Sequence, residues 1–299
     1  MSKITVNTPA KLNLGLQVGR ERSDGFHNIH TIFQTIGLFD RLTIRFTSTR
    51  SDDLTVTGRT AGVPTDDSNL LFRVLERVRS RGIEVPGCDM ELHKEIPTQA
   101  GLGGASSDAA ALLRILQYRF VQKDECRFEQ VAREVGADVL FLLKGGTLEA
   151  TGRGDQFRSM PELDGWALVV VPPYGVETEW AYRQLENRNL VGEELDARNE
   201  SLDAEHWRDL NLTNDFVPLI SEEEPLQDRL LSRLGEFTDH CSLTGSGSAL
   251  YGLFETKREG RKAQEALGES FQETEFELVT FIGRNDIPKL EREVPCRSQ

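Results

Sequence analysis

The chain has 299 residues, with 35 lysines and arginines against 49 aspartates and glutamates, and a formal net charge of −14. This length predicts one large domain or two of moderate size, and 38% of apolar residues is enough for a sizeable core. The acidic balance argues against general nucleic-acid binding, because a negative chain repels phosphate backbones. A small phosphorylated ligand held by a local cluster of donors remains compatible with it.

The sequence also indicates the cellular compartment of the protein. The four cysteines are scattered without a CxxC pair, which argues against a disulfide framework or a zinc site and fits a reducing cytoplasm. The N-terminal stretch lacks the long apolar run of a signal peptide, and no window approaches the roughly 18 apolar residues that cross a membrane. We therefore expect a soluble, cytoplasmic protein without a membrane partner.

Strands dominate the first part of the sequence. Leu12, Leu14 and Leu16 alternate with polar residues and a glycine, and this period of two predicts a strand with one apolar and one polar face. Apolar residues at helical spacing after a cap-like DDSN predict a helix over 66–81. The other elements predicted in this half are strands at 32–38, 42–46 and 88–95 and a helix at roughly 106–118.

The second part begins with a predicted third helix near 126–135, which ends at Gly136. The stretch 193–224 contains eleven acids and two arginines, and this composition predicts solvated helical faces and loops. The remaining predicted elements are an apolar run at 139–143, a strand-turn-strand at 145–157, a buried strand at 166–172 and a strand-helix-strand pattern over 241–283.

The segment 97–113, PTQAGLGGASSDAAALL, is the most informative part of the chain. Gly101, Gly103 and Gly104 let backbone amides converge without obstruction by Cβ atoms, and a helix begins directly after them. The free amides and the dipole of a helix N-terminus attract anions, so this arrangement is typical of a phosphate site. The glycines alone are equally compatible with a tight turn that binds nothing. No lysine of a Walker loop follows, and Ser106 replaces the third glycine of a Rossmann fingerprint.

Three further segments contain residues that could act at such a site. Lys11 and Asn13 share the polar face of the first strand, about 7 Å apart at about 3.3 Å per residue, although a solvated lysine is the alternative. Asp138 precedes an apolar run, either as a helix cap or as a partly desolvated acid that needs a charged partner. The stretch 243–254 is a second Gly-Ser turn, which could supply more amides or be only a turn.

In their order along the chain, PAKLNL, PxxAGLGGxSSDAAA, GADV and LTGSGS, these segments resemble the GHMP kinase superfamily. Within it, PAKLNLGLQVGRERSDGFHNIHTIFQTI (9–36), the extended glycine loop and GADVLFLL (136–143) are similar to the members that phosphorylate a cytidine diphosphate derivative of methylerythritol in non-mevalonate isoprenoid synthesis. The resemblance covers roughly residues 5–255 and is weakest over 190–225.

The resemblance implies a two-domain α+β fold. Residues 1–158 would be similar to the second domain of ribosomal protein S5, and residues 159–299 would be ferredoxin-like, with the site in the cleft between them. ATP and magnesium are the implied cofactors, and the metal ligands and the oligomeric state stay open. Asp138 would accept the proton of the substrate's tertiary 2-hydroxyl, and Lys11 would keep that carboxylate ionised and stabilise the developing charge.

The same resemblance implies two sets of binding residues. Phe26 and His27 would contact the cytosine ring. The implied ATP-binding residues are Pro97, Thr98, Gln99, Ala100, Gly101, Leu102, Gly103, Gly104, Ala105, Ser106 and Ser107, with Asn69 and Lys94 on the adenine side. The implied substrate-binding residues are Asn13, Phe26, His27, Thr178 and Tyr182.

Two other functions stay possible at this point. The chain could be another GHMP kinase, with mevalonate, homoserine or a sugar as acceptor, although GFHNIH (25–30) favours the cytidyl substrate. It could also be a catalytically inactive nucleotide-binding relative, although the presence of both Lys11 and Asp138 argues against this.

Overall fold

The computed structural model describes residues 3–120, 125–188, 190–192 and 206–287, and two β-sheets form its framework. In the first sheet, the long strands β1 (Lys3–Glu21) and β2 (His27–Phe46) pair antiparallel along almost their whole length. The strand order is β3-β4-β2-β5-β6, and β1 also pairs with β2. The shorter strands are β3 (Asp53–Gly58), β4 (Cys88–Lys94), β5 (Thr147–Thr151) and β6 (Gln156–Ser159).

The second sheet is antiparallel throughout and has the order β10-β7-β9-β8. The chain passes from one sheet to the other between Ser159 and Trp166, and the division predicted at 158/159 stays a prediction. The strands of the second sheet are β7 (Trp166–Val171), β8 (Cys241–Leu243), β9 (Leu250–Phe254) and β10 (Glu275–Thr280).

Helices cover the outer face of each sheet, so the protein has four layers. This mixture is the α+β class that the sequence predicts. The helices on the first sheet are α1 (Leu70–Ser80), α2 (Gly104–Phe120), α3 (Glu125–Val135) and α4 (Ala137–Lys144). Those on the second sheet are α5 (Thr178–Asn187), α6 (Phe216–Glu223), α7 (Pro225–Gly235) and α8 (Lys257–Ser270), and short 3-10 helices lie at Trp207–Asp209 and Arg284–Asp286.

The inner faces of the two sheets share one apolar core. Leu12 and Leu14 of β1 lie in the same buried cluster as Val169 of β7 and Tyr251 of β9. The two halves of the chain are therefore packed against each other through their strands.

A register shift in β1 determines which side chains reach the cleft. Between Pro9 and Ala10 the pairing with β2 slips by a bulge, which reverses the two faces of a strand. Before the bulge, Val6 packs into the core beneath α1–α4, whereas Leu12 beyond it packs into the core between the sheets. The bulge therefore turns Lys11 toward the helices of the first half.

The structure extends or joins several predicted elements. The strands predicted at 32–38 and 42–46 form one strand, β2, and the apolar run 139–143 lies in helix α4. Within the acidic stretch 193–224, residues 193–205 lie outside the described part, and the remainder contains α6, which buries its apolar face. None of the helices in the described ranges is long and apolar enough to cross a membrane.

Candidate active site

A cleft of about 460 Å³ lies between the glycine loop, β1, the start of α4 and the turn at 244–246. It brings together most of the residues that the resemblance implies. The predicted residues that line it are Lys11, Asn13, Asn69, Lys94, Pro97, Thr98, Gln99, Ala100, Gly101, Leu102, Gly103, Gly104, Ala105, Ser106, Asp138, Thr178 and Tyr182. Ser107, Phe26 and His27 are not among the lining residues.

The carbonyl oxygens of the glycine loop are bound to the surrounding protein. By contrast, the amides of Gly101, Leu102 and Gly103 donate to no oxygen of the described residues. The loop therefore presents donors, not acceptors, to a ligand. The bonds to its carbonyls include Val176 N to Gln99 O at 2.9 Å, Ala249 N to Ala100 O at 3.2 Å and Lys11 N to Leu102 O at 2.9 Å.

The glycines of this loop are required on its protein side. Gly101 and Gly103 both have φ of +71°, a conformation that favours glycine. A Cβ atom at Gly101 would lie 2.1 Å from the carbonyl oxygen of Thr244, and one at Gly103 would lie 2.9 Å from Cγ of Lys11. The sequence analysis expected a Cβ atom to obstruct the convergence of the amides. In the structure, a Cβ atom would instead collide with Thr244 and Lys11 on the protein side of the loop.

Helix α2 begins directly after the loop and directs its first turn into the cleft. Ala105 is exposed and Ser106 half-buried, and both line the cavity. Ser107 is buried, and its hydroxyl donates to the carbonyl of Pro9 at 2.7 Å. Ser107 therefore ties the helix to β1, while the two residues before it border the space where an anion would meet the helix N-terminus.

Lys11 lies in the floor of the cleft with only 4% of its side chain exposed, so the alternative of a solvated lysine is wrong. Its ammonium donates to Oδ1 of Asn13 at 2.5 Å and lies 3.4 Å from Oδ2 of Asp138. The side-chain nitrogen Nδ2 of Asn13 donates to the Thr31 hydroxyl at 3.0 Å, and the Thr31 hydroxyl donates to the carbonyl of Gly15. This chain of bonds orients the Asn13 oxygen toward the lysine.

Asp138 stands in the first turn of α4 with 35% of its side chain exposed. The N-cap of this helix is Gly136, which has no side-chain cap bond. Of the two alternatives from the sequence, the acid with a charged partner therefore fits and the cap does not. Burial raises the pKa of Tyr182, and the negative charge of Asp138 raises it further.

A second corner, formed by Phe26 and His27, lies beyond the cavity. The Phe26 side chain is 49% exposed, and the guanidinium carbon of Arg153 lies 3.7 Å from the centre of its ring. The His27 ring lies 5.0 Å from that of Tyr182, which lines the cleft. Tyr182 thus connects this corner to the Lys11–Asp138 pair.

Comparison with known proteins identifies the family. The family model described as "GHMP kinases N terminal domain" matches residues 69–146, and "GHMP kinases C terminal" matches residues 190–273. A 4-diphosphocytidyl-2-C-methyl-D-erythritol kinase of Salinibacter ruber is 38% identical over 87% of this chain and 93% of its own length. The chain is a GHMP kinase. Within the superfamily it belongs to the 4-diphosphocytidyl-2-C-methyl-D-erythritol kinase family.

Further relatives agree with this assignment. The enzyme of the same name from Idiomarina loihiensis is 31% identical over 96% of this chain and 97% of its own length. The crystal structure of a 4-(cytidine 5'-diphospho)-2C-methyl-D-erythritol kinase superposes with a TM-score of 0.73 at 30% identity, covering 93% of this chain and all of that one. A homoserine kinase from Cytophaga hutchinsonii, with a TM-score of 0.70 at 19% identity, covers 97% of this chain and 98% of its own and shares the fold.

Lys94 of this GHMP kinase lies under the glycine loop, where two carboxylates neutralise it. Its ammonium pairs with Asp40 and, at 2.9 Å, with Asp108, and all three side chains are buried. Burial raises the pKa of Asp108 to about 6; Lys94 opposes this shift, and Asp40 adds to it. The hydroxyl of Thr8 donates to Asp108 at 2.8 Å. Sequence reasoning missed Asp40, although it pairs directly with Thr8 in the β1–β2 register.

Asn69 holds the start of α1 at the far end of the cleft. Its side chain accepts from the amide of Leu71 at 3.0 Å and donates to the carbonyl of Pro64 at 2.7 Å. The cap-like DDSN stretch therefore contains the N-cap, although the helix begins at Leu70 and not at 66. The neighbouring loop also lines the cleft, which the sequence did not indicate; its lining residues are Gly62, Val63, Pro64 and Ser68.

The described ranges contain no group of three or more His, Cys, Asp or Glu side chains that could hold a metal ion. A magnesium ion does not need such a group, because Mg²⁺ keeps several waters and is bound by one or two carboxylates plus substrate phosphates. Asp138 and Ser106 both line the cleft and offer side-chain oxygens of that kind.

Proposed function

We propose that this chain transfers the γ-phosphate of ATP to the 2-hydroxyl of 4-diphosphocytidyl-2-C-methyl-D-erythritol, forming the 2-phosphate and ADP in non-mevalonate isoprenoid synthesis. The observation that carries the proposal is the buried Lys11 ammonium 3.4 Å from the half-exposed carboxylate of Asp138, in a cleft bordered by free loop amides. The names of the relatives supply the substrate. The cytoplasmic location is proposed on the scattered cysteines alone.

Phosphoryl transfer depends on positioning and on neutralised phosphate charge. In the proposed reaction, the amides of the loop 101–103 and the first turn of α2 hold the ATP phosphates. Asp138 accepts the proton of the attacking hydroxyl, and Lys11, which pairs with this carboxylate, stabilises charge on the transferred phosphoryl group. The net charge of −14 makes such local donors necessary, because the chain as a whole repels a nucleotide.

Magnesium is part of this proposal. When bound, it would neutralise charge on the ATP phosphates, and the side chains of Ser106 and Asp138 would supply protein oxygens to it. The protein itself orients the Lys11 ammonium, because Asn13 accepts a hydrogen bond from Lys11 and donates one to Thr31.

The substrate would extend from Lys11 toward the corner of Phe26 and His27. Asn13, Thr178 and Tyr182 line the cleft along that path, and the Thr178 hydroxyl lies 3.2 Å from that of Ser246. The half-exposed ring of Phe26 is available to stack on the cytosine, and His27 is available to read its polar edge.

A coupled assay of ADP release over a panel of alcohols tests this function. The cytidyl compound should be the preferred acceptor, and 2-C-methyl-D-erythritol 4-phosphate, which has no base, should be a very poor one. Mevalonate and homoserine serve as controls for the wider superfamily. Comparable kcat/KM for the cytidyl compound and its base-free parent would refute the cytidyl assignment, and no ADP release with any alcohol would favour an inactive relative.

A further inference from the structure

His27 and Glu186 form a hydrogen bond at the base corner of the cleft. Nε2 of His27 lies 3.0 Å from Oε1 of Glu186, with the imidazole 9% exposed and the carboxylate 35% exposed. His27 is the first residue of β2, and Glu186 stands in the last turn of α5. The bond therefore connects the two halves of the protein beside the substrate path.

The bond fixes where the imidazole carries its proton. An ionised carboxylate accepts hydrogen bonds and donates none, so the Nε2 of His27 must donate. In the neutral ring, Nδ1 then keeps its lone pair and is an acceptor. Among the residues that the structure describes, none forms a hydrogen bond with this Nδ1. The carboxylate thus leaves one acceptor of defined polarity at the corner.

We propose that Glu186 is a positioning residue that sets the His27 tautomer and thereby selects cytosine over uracil. The inference rests on the proposed function, which places the base at this corner. The amino group of cytosine is a donor and suits an acceptor at Nδ1, whereas the O4 of uracil is an acceptor and opposes it. Tyr182, whose ring lies 5.0 Å from that of His27, packs beside the imidazole and keeps it in place.

A purely structural role is the alternative, because the same bond ties β2 to α5. That role predicts a loss of stability on substitution and no change in base preference. Selection by tautomer predicts that substitution changes the base preference while the protein stays folded. Packing of His27 against Tyr182, and of Tyr182 against Phe216, favours a ring that stays in position without the carboxylate.

The variant Glu186→Gln separates the two roles. Glutamine fits the same space but can donate as well as accept, so both His27 tautomers become accessible. The wild-type chain should prefer the cytidyl compound over its uridine analogue by at least about tenfold in kcat/KM. In Glu186→Gln this ratio should fall at least about fivefold, mainly through a gain with the uridine analogue. Glu179→Gln, an exposed change in the first turn of the same helix, should leave the ratio unchanged.

Long-range ¹H–¹⁵N spectra of the ligand-free protein give an independent reading of the tautomer. His27, assigned by the loss of its signals in His27→Gln, should show a protonated Nε2 and an unprotonated Nδ1 in the wild type and a mixture in Glu186→Gln. A protonated Nδ1 in the wild type, or an unchanged base preference in Glu186→Gln, would overturn the role of Glu186 alone. Failure of the wild-type chain to phosphorylate the cytidyl compound would instead overturn the proposed function, and the selection of a base with it.

Discussion

Lys11 and Asp138 show how a strand lysine comes to lie beside a carboxylate in the cleft. The bulge after Pro9 turns Lys11 into the floor of the cleft, and Asn13 and Asp138 are its hydrogen-bonding and charged partners. A buried ammonium needs such partners, because an isolated charge is costly to remove from water. The buried ammonium therefore lies beside the carboxylate that is proposed to accept the proton.

The variant Asp138→Asn tests this role. An asparagine keeps the shape but cannot accept the proton, so kcat should fall by about 10²–10⁴. Affinity for a non-hydrolysable ATP analogue, measured by titration, should change little, because the loop amides remain. Asp164→Asn, at an exposed aspartate, is the matched control. Turnover within a few-fold of the wild type would show that Asp138 is not the proton acceptor.

Asp108 gives a pH-dependent signature of the buried group under the loop. Its folded-state pKa of about 6 lies above the ordinary value of 3.8, chiefly because of burial. A raised pKa means that the folded state holds the proton more tightly, so this group's stabilisation is present at low pH and is lost as pH rises through about 6. Relative to Asp108→Asn, the wild type should gain about 1 kcal/mol in free energy of unfolding from pH 7 to pH 5. Urea unfolding of both proteins at the two pH values measures this, and parallel pH slopes would contradict it.

The sequence predicted which residues line the cleft better than it predicted the contacts between them. Lys11, Asn13 and Asp138 follow from short motifs, because each stands at a fixed place in one element. The pairing of Lys94 with Asp40 joins residues 54 positions apart, and only the register of the sheet brings them together. No local pattern reveals such a pair.

The glycine loop and helix α2 form one continuous unit, in which the free amides of the loop lie next to the N-terminus of the helix. Local signals found this unit because glycines, caps and helical periodicity are all short-range. They placed the helix start at 106, whereas α2 begins at Gly104. The long strand β2 was predicted as two pieces, because the polar residues Asp40 and Arg41 interrupt its apolar pattern, whereas its continuity depends on pairing with β1.

The variant Ala105→Asp tests the anion site of this unit. Ala105 is exposed in the first turn of α2, where a carboxylate stabilises a helix by about 0.3–1 kcal/mol. The same charge would repel ATP phosphates, so the dissociation constant for ATP should rise at least about tenfold while thermal stability holds or increases. Ala105→Ser, which adds a hydroxyl without charge, should bind ATP within about threefold of the wild type. Unchanged ATP affinity in Ala105→Asp would place the phosphates elsewhere.

The two halves of the protein share both a core and the walls of the cleft. Leu12 and Val169 lie in the same buried cluster between the sheets. The hydroxyl of Thr244 accepts from the backbone amide of Asn13 at 3.0 Å and donates to the carbonyl of Gly101 at 3.2 Å. The sequence left open whether the turn that contains Thr244 supplies amides to a ligand or is only a turn. Its contact with both β1 and the loop was not predictable, because it depends on how the two sheets pack.

Because the core is shared, the two halves should unfold together. All three tryptophans, Trp166, Trp180 and Trp207, lie in the second half, so their fluorescence reports on that half, whereas far-ultraviolet circular dichroism reports on both. The two urea curves should coincide. Leu12→Ala, a fully buried change in the first half, should cost about 2–5 kcal/mol and lower both midpoints equally, although no tryptophan lies in that half. A fluorescence midpoint that stays at its wild-type value while the dichroism midpoint falls would show that the halves unfold separately and that the core between the sheets does not couple them.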